Sequence, residues 1–126
     1  MKKLRIGEIG EKVAANYLVA QGFEIIAFNY SNSKGYCVGE IDIIAKDKTN
    51  EEFVFVEVKT RKGNKDLVVP EESITKEKIK RLKKAINWFL NENKLIDVNW
   101  RIDAISVIVE MRERKFHIKH IKYIRS

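Results

Sequence analysis

Cysteine is almost missing from this 126-residue chain, with Cys37 its only example. One thiol excludes an intrachain disulfide and a zinc site built from several cysteines, and it suits a reducing compartment, so a cytoplasmic protein is expected. Proline occurs once, at Pro70, and glycine six times. No linker rich in Pro, Gly or Ser, no internal repeat and no low-complexity tract divides the chain, which predicts one continuous domain over 1–126. Long hydrophobic runs are missing as well. The longest, AISVIV at 104–109, falls far short of the roughly 20 residues that a membrane helix needs. The opening MKKLRIGEIGEK is basic but has no apolar stretch behind it, so no secretory signal is expected. His117 and His120 are the only histidines, and their spacing in a strand sends them to opposite faces, which argues against a zinc pair. Walker A, Rossmann glycine and nucleophile-elbow patterns are all lacking.

What the chain has is charge, mostly positive. Lys and Arg number 25 against 18 Asp and Glu, a formal net charge of +7, which favours an anionic partner such as nucleic acid or a lipid surface. The pattern of apolar residues predicts the order α-β-β-β-α-β-β. A first helix spans 7–21, with Ile9, Val13, Tyr17 and Ala20 at helical spacing beside Ala14 and Leu18, and Gly22 ends it. Strands follow at 23–30, 40–46 and 52–60, the last two joined by the turn KDKTN. Thr75 caps a second helix running to about Asn93, with Ile74 and Ile79 as a hydrophobic staple and Ile79, Leu82, Ile86, Phe89 and Leu90 as its core face. Strands at 100–110 and 115–121 close the chain. This order predicts an α/β fold: an antiparallel meander, a helical crossover into a parallel partner, and a helix on each face of the mixed sheet.

The stretch EIDIIAKDKTNEEFVFVEVKTR at 40–61 sets charges into apolar strands. Asp42 stands among isoleucines, and Glu57 and Lys59 continue the run FVFV. A carboxylate in such surroundings is costly unless it is paired, hydrogen-bonded or bound to a cation. Strand alternation puts Glu57 and Lys59 on one face and Glu40 and Asp42 on one face. A hairpin centred between Thr49 and Asn50 sets Asp42 opposite Glu57 and Glu40 opposite Lys59. Two opposed carboxylates repel, and a divalent cation would turn that repulsion into a site of the kind Mg²⁺ accepts. A solvated sheet face with an ordinary Glu40–Lys59 ion pair is the alternative reading of the same residues.

Asp42, followed fifteen positions later by Glu57-Val58-Lys59, resembles the PD-(D/E)xK nuclease signature of restriction enzymes, repair nucleases and Holliday-junction resolvases. Within that superfamily the chain is similar to the bacterial YraN-like family (UPF0102) over nearly its full length. The resemblance is carried by Gly7-Glu8-Ile9-Gly10-Glu11, Asn29-Tyr30, Gly39-Glu40-Ile41-Asp42, the stretch from Phe55 to Arg61, Lys78 with Arg81-Leu82, and Arg101-Ile102-Asp103. It implies a restriction-endonuclease-like core in which Asp42, Glu57 and the Val58 carbonyl bind Mg²⁺ or Mn²⁺. Lys59 would then orient the attacking water and stabilise charge on the phosphate. Glu11 would complete the ligand shell or stand just behind it, Glu8 could substitute for it, and Glu40 stands close by; two solvated glutamates favoured by the dipole at a helix start are the alternative reading of Glu11 and Glu8. Three departures from the pattern stand out: Ile41 where the motif name has proline, Ser31 where relatives carry arginine, and a longer loop before Gly39.

Lys76, Lys78, Lys80, Arg81, Lys83 and Lys84 crowd the start of the second helix, and Arg61, Lys62 and Lys65 follow the third strand. A solvated helix face is one reading; a surface that tracks phosphates is the other. A membrane-surface helix is disfavoured because the apolar face is needed for the core. Tyr30 and Tyr36 could stack on unpaired bases or pack locally. Asp103 reads as structural, paired with Arg101 or a neighbouring strand. The expected function is a metal-dependent endonuclease on branched or structured nucleic acid, DNA first. A nucleic-acid-binding module that keeps the fold without catalysis is the alternative, and a homodimer stays open.

Overall fold

The computed structural model describes residues 5–31, 39–64, 66 and 75–124. Its elements are α1 (Ile6–Ala20), β1 (Phe23–Ser31), β2 (Glu40–Asp47), β3 (Glu52–Lys62), α2 (Lys76–Glu92), β4 (Trp100–Glu110) and β5 (Lys115–Ile121). They form one open mixed sheet in the order β1-β2-β3-β4-β5. Strands β1 to β3 are antiparallel, β3 and β4 are parallel across the α2 crossover, and β5 returns antiparallel to β4. The predicted class and element order therefore hold.

One helix covers each face of the sheet. On the first face, Ala14, Ala15 and Leu18 of α1 pack on Ile43, Ala45, Val54, Val56, Ile105, Val107 and Val109. On the second, Ile79, Leu82, Ala85, Ile86 and Phe89 of α2 pack on Ile41, Ile44, Phe55 and Ile102. Two buried faces explain why β3 and β4 read as near-continuous apolar runs. The expected core stripe of α1 needs correction. Gly10, Ala14, Ala15 and Leu18 are its buried residues, while Val13 and Tyr17 are only partly covered and Ala20 is exposed. The cause is a close approach: a Cβ at Gly10 would lie 1.8 Å from Thr60 Oγ1, so α1 sits down on β3 through its smallest residues. Gly22 takes the left-handed conformation, φ +94°, that turns the chain from α1 into β1.

At α2 the predicted cap forms, with Thr75 Oγ1 accepting from Lys78 N at 3.1 Å. Ile74, Pro70, Lys65, Cys37 and Tyr36 lie outside the described residues. No described helix is long and apolar enough to cross a membrane.

Candidate functional site

The β2–β3 hairpin has the expected register, from Asp47 opposite Glu52 to Ile43 opposite Val56. The ladder stops there, one step short of the expected Asp42–Glu57 pair and three short of Glu40–Lys59. Ile41 packs with the α2-side cluster and Ile43 with the α1-side cluster, although strict alternation would put both on one face. The strand therefore turns at Asp42, and Glu40 and Ile41 stay paired with Ser31 and Tyr30 of β1. Freed from the ladder, Asp42 uses its side chain in place of its backbone: Oδ2 accepts from Val58 N at 2.8 Å. The carboxylate is thus held at the mouth of a split between two strands.

Negative charge collects at that split. The Asp42 carboxyl is pushed up to about 7 from an ordinary 3.8, first by burial, then by Glu57, with Glu11 and Glu40 adding to it and the Val58 N–H opposing it. Glu11, on α1, is raised too, by burial and by Glu40, Glu8 and Glu57, against a hydrogen bond with the Asn29 side chain. Asn29 itself has φ +48°, a left-handed conformation that asparagine tolerates better than most residues. Among the described residues, no group of three or more His, Cys, Asp or Glu side chains converges closely enough to hold a metal ion. The buried Glu57 is the charge that acts most strongly on Asp42, and both side chains carry hard carboxylate oxygens.

Cations answer from β3 and α2. Lys78 Nζ lies 3.0 Å from Glu57 Oε1. Its contact with Lys59 is the largest cause lowering the Lys59 ammonium, followed by burial, while Glu57 acts the other way. Lys78 itself is raised: burial works against it, but contacts with Lys59 and Glu57 and the charge of Asp42 outweigh that. The proton is thus held more firmly on Lys78 than on Lys59. The basic run of α2 places Lys78 apart from Lys76, Lys80, Arg81, Lys83 and Lys84, which are exposed. Arg61 and Lys62 are exposed at the end of β3. Gly39 lets the start of β2 come close to this helix, since a Cβ there would meet Arg81 O at 2.6 Å.

Tyr30 packs edge-on against Phe89 at 5.2 Å and donates to Glu92 Oε1. Both contacts are local packing, and the ring is half-buried. Asp103 is paired with Arg101, one of the expected partners: Nε and Nη2 reach its two oxygens at 3.0 and 3.2 Å. Sequence spacing carries no sign of the rest of this group. Arg101 Nη1 also reaches Asp47 and Glu52, and His120 Nε2 and Tyr123 N add hydrogen bonds to Asp103. His117 pairs instead with Glu110, so the two histidines serve different carboxylates. The inward turn of Lys78 is equally hidden, since six basic residues in nine positions do not say which one leaves the solvent.

The profile of the uncharacterised protein family UPF0102 matches residues 10–107. A UPF0102 protein of Roseiflexus castenholzii is 38% identical over 124 residues, covering 97% of this chain and 94% of its own length. One from Clostridium beijerinckii is 36% identical over 124 residues, 97% and 95% of the two chains. One from Chlorobaculum tepidum is 39% identical over 128 residues, 93% and 88% of the two chains. With the turn at Asp42, the Glu57–Lys59 strand and the Gly10 contact all inside the matched span, the chain belongs to the uncharacterised protein family UPF0102.

Proposed function

We propose that this protein is a divalent-metal-dependent endonuclease that hydrolyses phosphodiester bonds in nucleic acid, with branched or structured DNA as the favoured substrate. The observation that carries the reading is the Asp42 carboxylate, fixed by Val58 N–H at 2.8 Å and raised by burial and by Glu57. A carboxylate pair placed for stability alone would gain nothing from the repulsion. The resemblance to the PD-(D/E)xK signature and the lysine two residues after Glu57 support the same conclusion.

The donor set suits Mg²⁺ or Mn²⁺, which bind through one or two carboxylates and fill their remaining positions with main-chain oxygens, water and substrate phosphate. Asp42 and Glu57 would hold the ion, with the Val58 carbonyl beside them. When bound, it would supply Lewis acidity at the phosphoryl oxygen and neutralise the acidic pair. The chain's own residues do the rest. Lys59, on the strand that carries Glu57, orients the attacking water and stabilises the charge that grows on the phosphate. Its proximity to Lys78 favours release of its proton, which suits a group that exchanges protons with water. Glu11 on α1 and Glu40 on β2 add negative charge around Asp42, and Glu8 adds to it around Glu11. The exposed Lys80, Arg81, Lys83 and Lys84, with Arg61 and Lys62, form the surface along which a phosphate backbone would lie.

A second reading draws on one specific observation. Lys78 already neutralises Glu57 at 3.0 Å, which favours a nucleic-acid-binding module that keeps the fold and has no useful catalysis. Purified protein incubated with duplex, flapped and four-way-junction DNA and Mg²⁺ or Mn²⁺ separates the two. Cleavage by the wild type, absent from Asp42→Ala protein of the same preparation, supports the endonuclease. Equal cleavage by both proteins overturns it, and tight binding with no cleavage by the wild type selects the binding module.

A further inference from the structure

Lys78 is the one cation of the α2 run that turns away from solvent, and its partner is the residue that the endonuclease reading gives to the metal. Its Nζ is 3.0 Å from Glu57 Oε1, with side-chain exposures of 39% for the lysine and 12% for the glutamate. The lysine can swing into water; the glutamate cannot. The backbone beneath Lys78 is fixed by the Thr75 cap, so the flexible four-carbon side chain is the part free to move. A divalent cation entering between Asp42 and Glu57 would take the Glu57 carboxylate and leave the Lys78 ammonium without its partner.

We propose that Lys78 is a tethered counter-ion that neutralises Glu57 until a divalent cation displaces it and sends its ammonium toward a phosphate of the bound strand. The proposal rests on the metal-binding reading of Asp42 and Glu57 and deepens it. It makes the empty site stable without metal, since the acidic pair is never left wholly unpaired. It also couples metal to nucleic acid: the ion frees a positive charge at the site, and a phosphate offers that charge a new partner. Lys78 is a positioning residue in this scheme, and the chemistry stays with Asp42, Glu57 and Lys59.

Calorimetric titration of Mn²⁺ into the purified full chain tests it without any cleavage step. The wild type, Lys78→Met, Lys78→Arg and Asp42→Ala are compared, and binding of a fluorescent DNA duplex in EDTA is measured alongside. If metal and ammonium compete, Lys78→Met binds Mn²⁺ about fivefold or more tightly than wild type, the size of an ordinary coupling between two ligands. Lys78→Arg, which keeps a tethered cation, stays near the wild type. In EDTA, where Lys78 stays on Glu57, DNA binding by Lys78→Met falls by no more than the loss of one partly neutralised charge. Unchanged or weaker Mn²⁺ binding by Lys78→Met overturns the proposal, even where Asp42→Ala still abolishes binding and the metal site itself stands. No saturable binding by the wild type overturns both the proposal and the metal arm of the endonuclease reading.

Discussion

The Arg101 cluster and the Asp42 cluster both bury charge in the same sheet, and they do so by opposite means. Around Arg101, three carboxylates from β2, β3 and β4 meet one guanidinium: Asp47 at 3.2 Å, Glu52 at 2.9 Å and Asp103 at 3.0 Å. Asp103, fully buried, accepts from Arg101, His120 and Tyr123 N, so its lone pairs are filled from inside the protein. Burial alone would raise its carboxyl, yet the hydrogen bonds from His120, Arg101 and Tyr123 hold it below the ordinary range. Around Asp42, burial comes first and then Glu57, Glu11 and Glu40, the charges among the described residues that raise it, and together they push the carboxyl up against the single Val58 N–H. One cluster closes on itself; the other is left with charge that only something from outside, or the Lys78 ammonium, can balance. Buried carboxylates can therefore be sorted by the sign of their neighbours, and the unbalanced group is where function is to be sought.

The sharpest way to break the comparison is to open the closed cluster. Arg101→Met leaves Asp103 and Asp47 buried without their cation, a class of change that costs roughly 3–5 kcal/mol. Urea denaturation at pH 7 should show the midpoint falling accordingly. A loss below about 1 kcal/mol, the scale of an exposed ion pair, would mean that the cluster is solvated and that the contrast with Asp42 is empty.

Opening the other cluster should do the reverse. In the folded chain Asp42 titrates near 7, above its ordinary 3.8, so the folded state holds its proton over a range where the unfolded state has lost it. Its contribution to stability is complete below about pH 4 and is lost as pH rises to about 7. Asp103 and Asp47, both lowered, behave oppositely: burial works against them, but hydrogen bonds, from His120 and Arg101 in one case and from Thr49 and Arg101 in the other, prevail. Their contribution is present above the ordinary carboxylate range and disappears in acid. Asp42→Asn keeps an oxygen for Val58 N and removes the charge. At pH 8 without metal it should be more stable than wild type by about 1–3 kcal/mol, and the difference should vanish near pH 4. Denaturation curves across that range decide it. An Asn variant that unfolds, or a difference that does not change with pH, would make Asp42 an internally satisfied residue like Asp103.

These contrasts also mark what could be read from the residues in order. The strands β4 and β5 and the α2 core face follow from period and turn signals, and the hairpin register follows from the short turn that joins two apolar runs. Asp42, Glu57 and Lys59 stand out because charge in an apolar strand is rare. The α1 stripe misleads because Gly10 and Ala14 carry little hydrophobic signal and yet make the closest approach to the sheet. The turn of β2 at Asp42 is hidden because Ile41 and Ile43 are the same residue type, and only their different packing partners reveal it. The Arg101 cluster draws residues from β2, β3, β4, β5 and the segment after it, contacts that no local pattern encodes. Lys78 is masked by its basic neighbours.

The smallest expected effect concerns the positive charge at the surface of α2. Lys80, Lys83 and Lys84 are exposed there, on the helix that brings Lys78 to Glu57. If a phosphate backbone lies along this face, replacing all three by glutamine should lower the slope of log affinity against log salt by about 0.9 for each duplex phosphate that the variant no longer neutralises. The fold should be unaffected, since exposed substitutions of this kind stay within about 0.5 kcal/mol. Lys48, in the turn at the far end of the β2–β3 hairpin from Asp42, supplies the control: Lys48→Gln removes an exposed lysine and should leave the slope unchanged. Fluorescence anisotropy of a labelled duplex titrated at several salt concentrations in EDTA reads both variants. Equal slopes in wild type and the triple variant would make the α2 lysines a solvated face, and would leave Arg61 and Lys62, at the end of β3 past Lys59, as the remaining basic residues for a strand to follow.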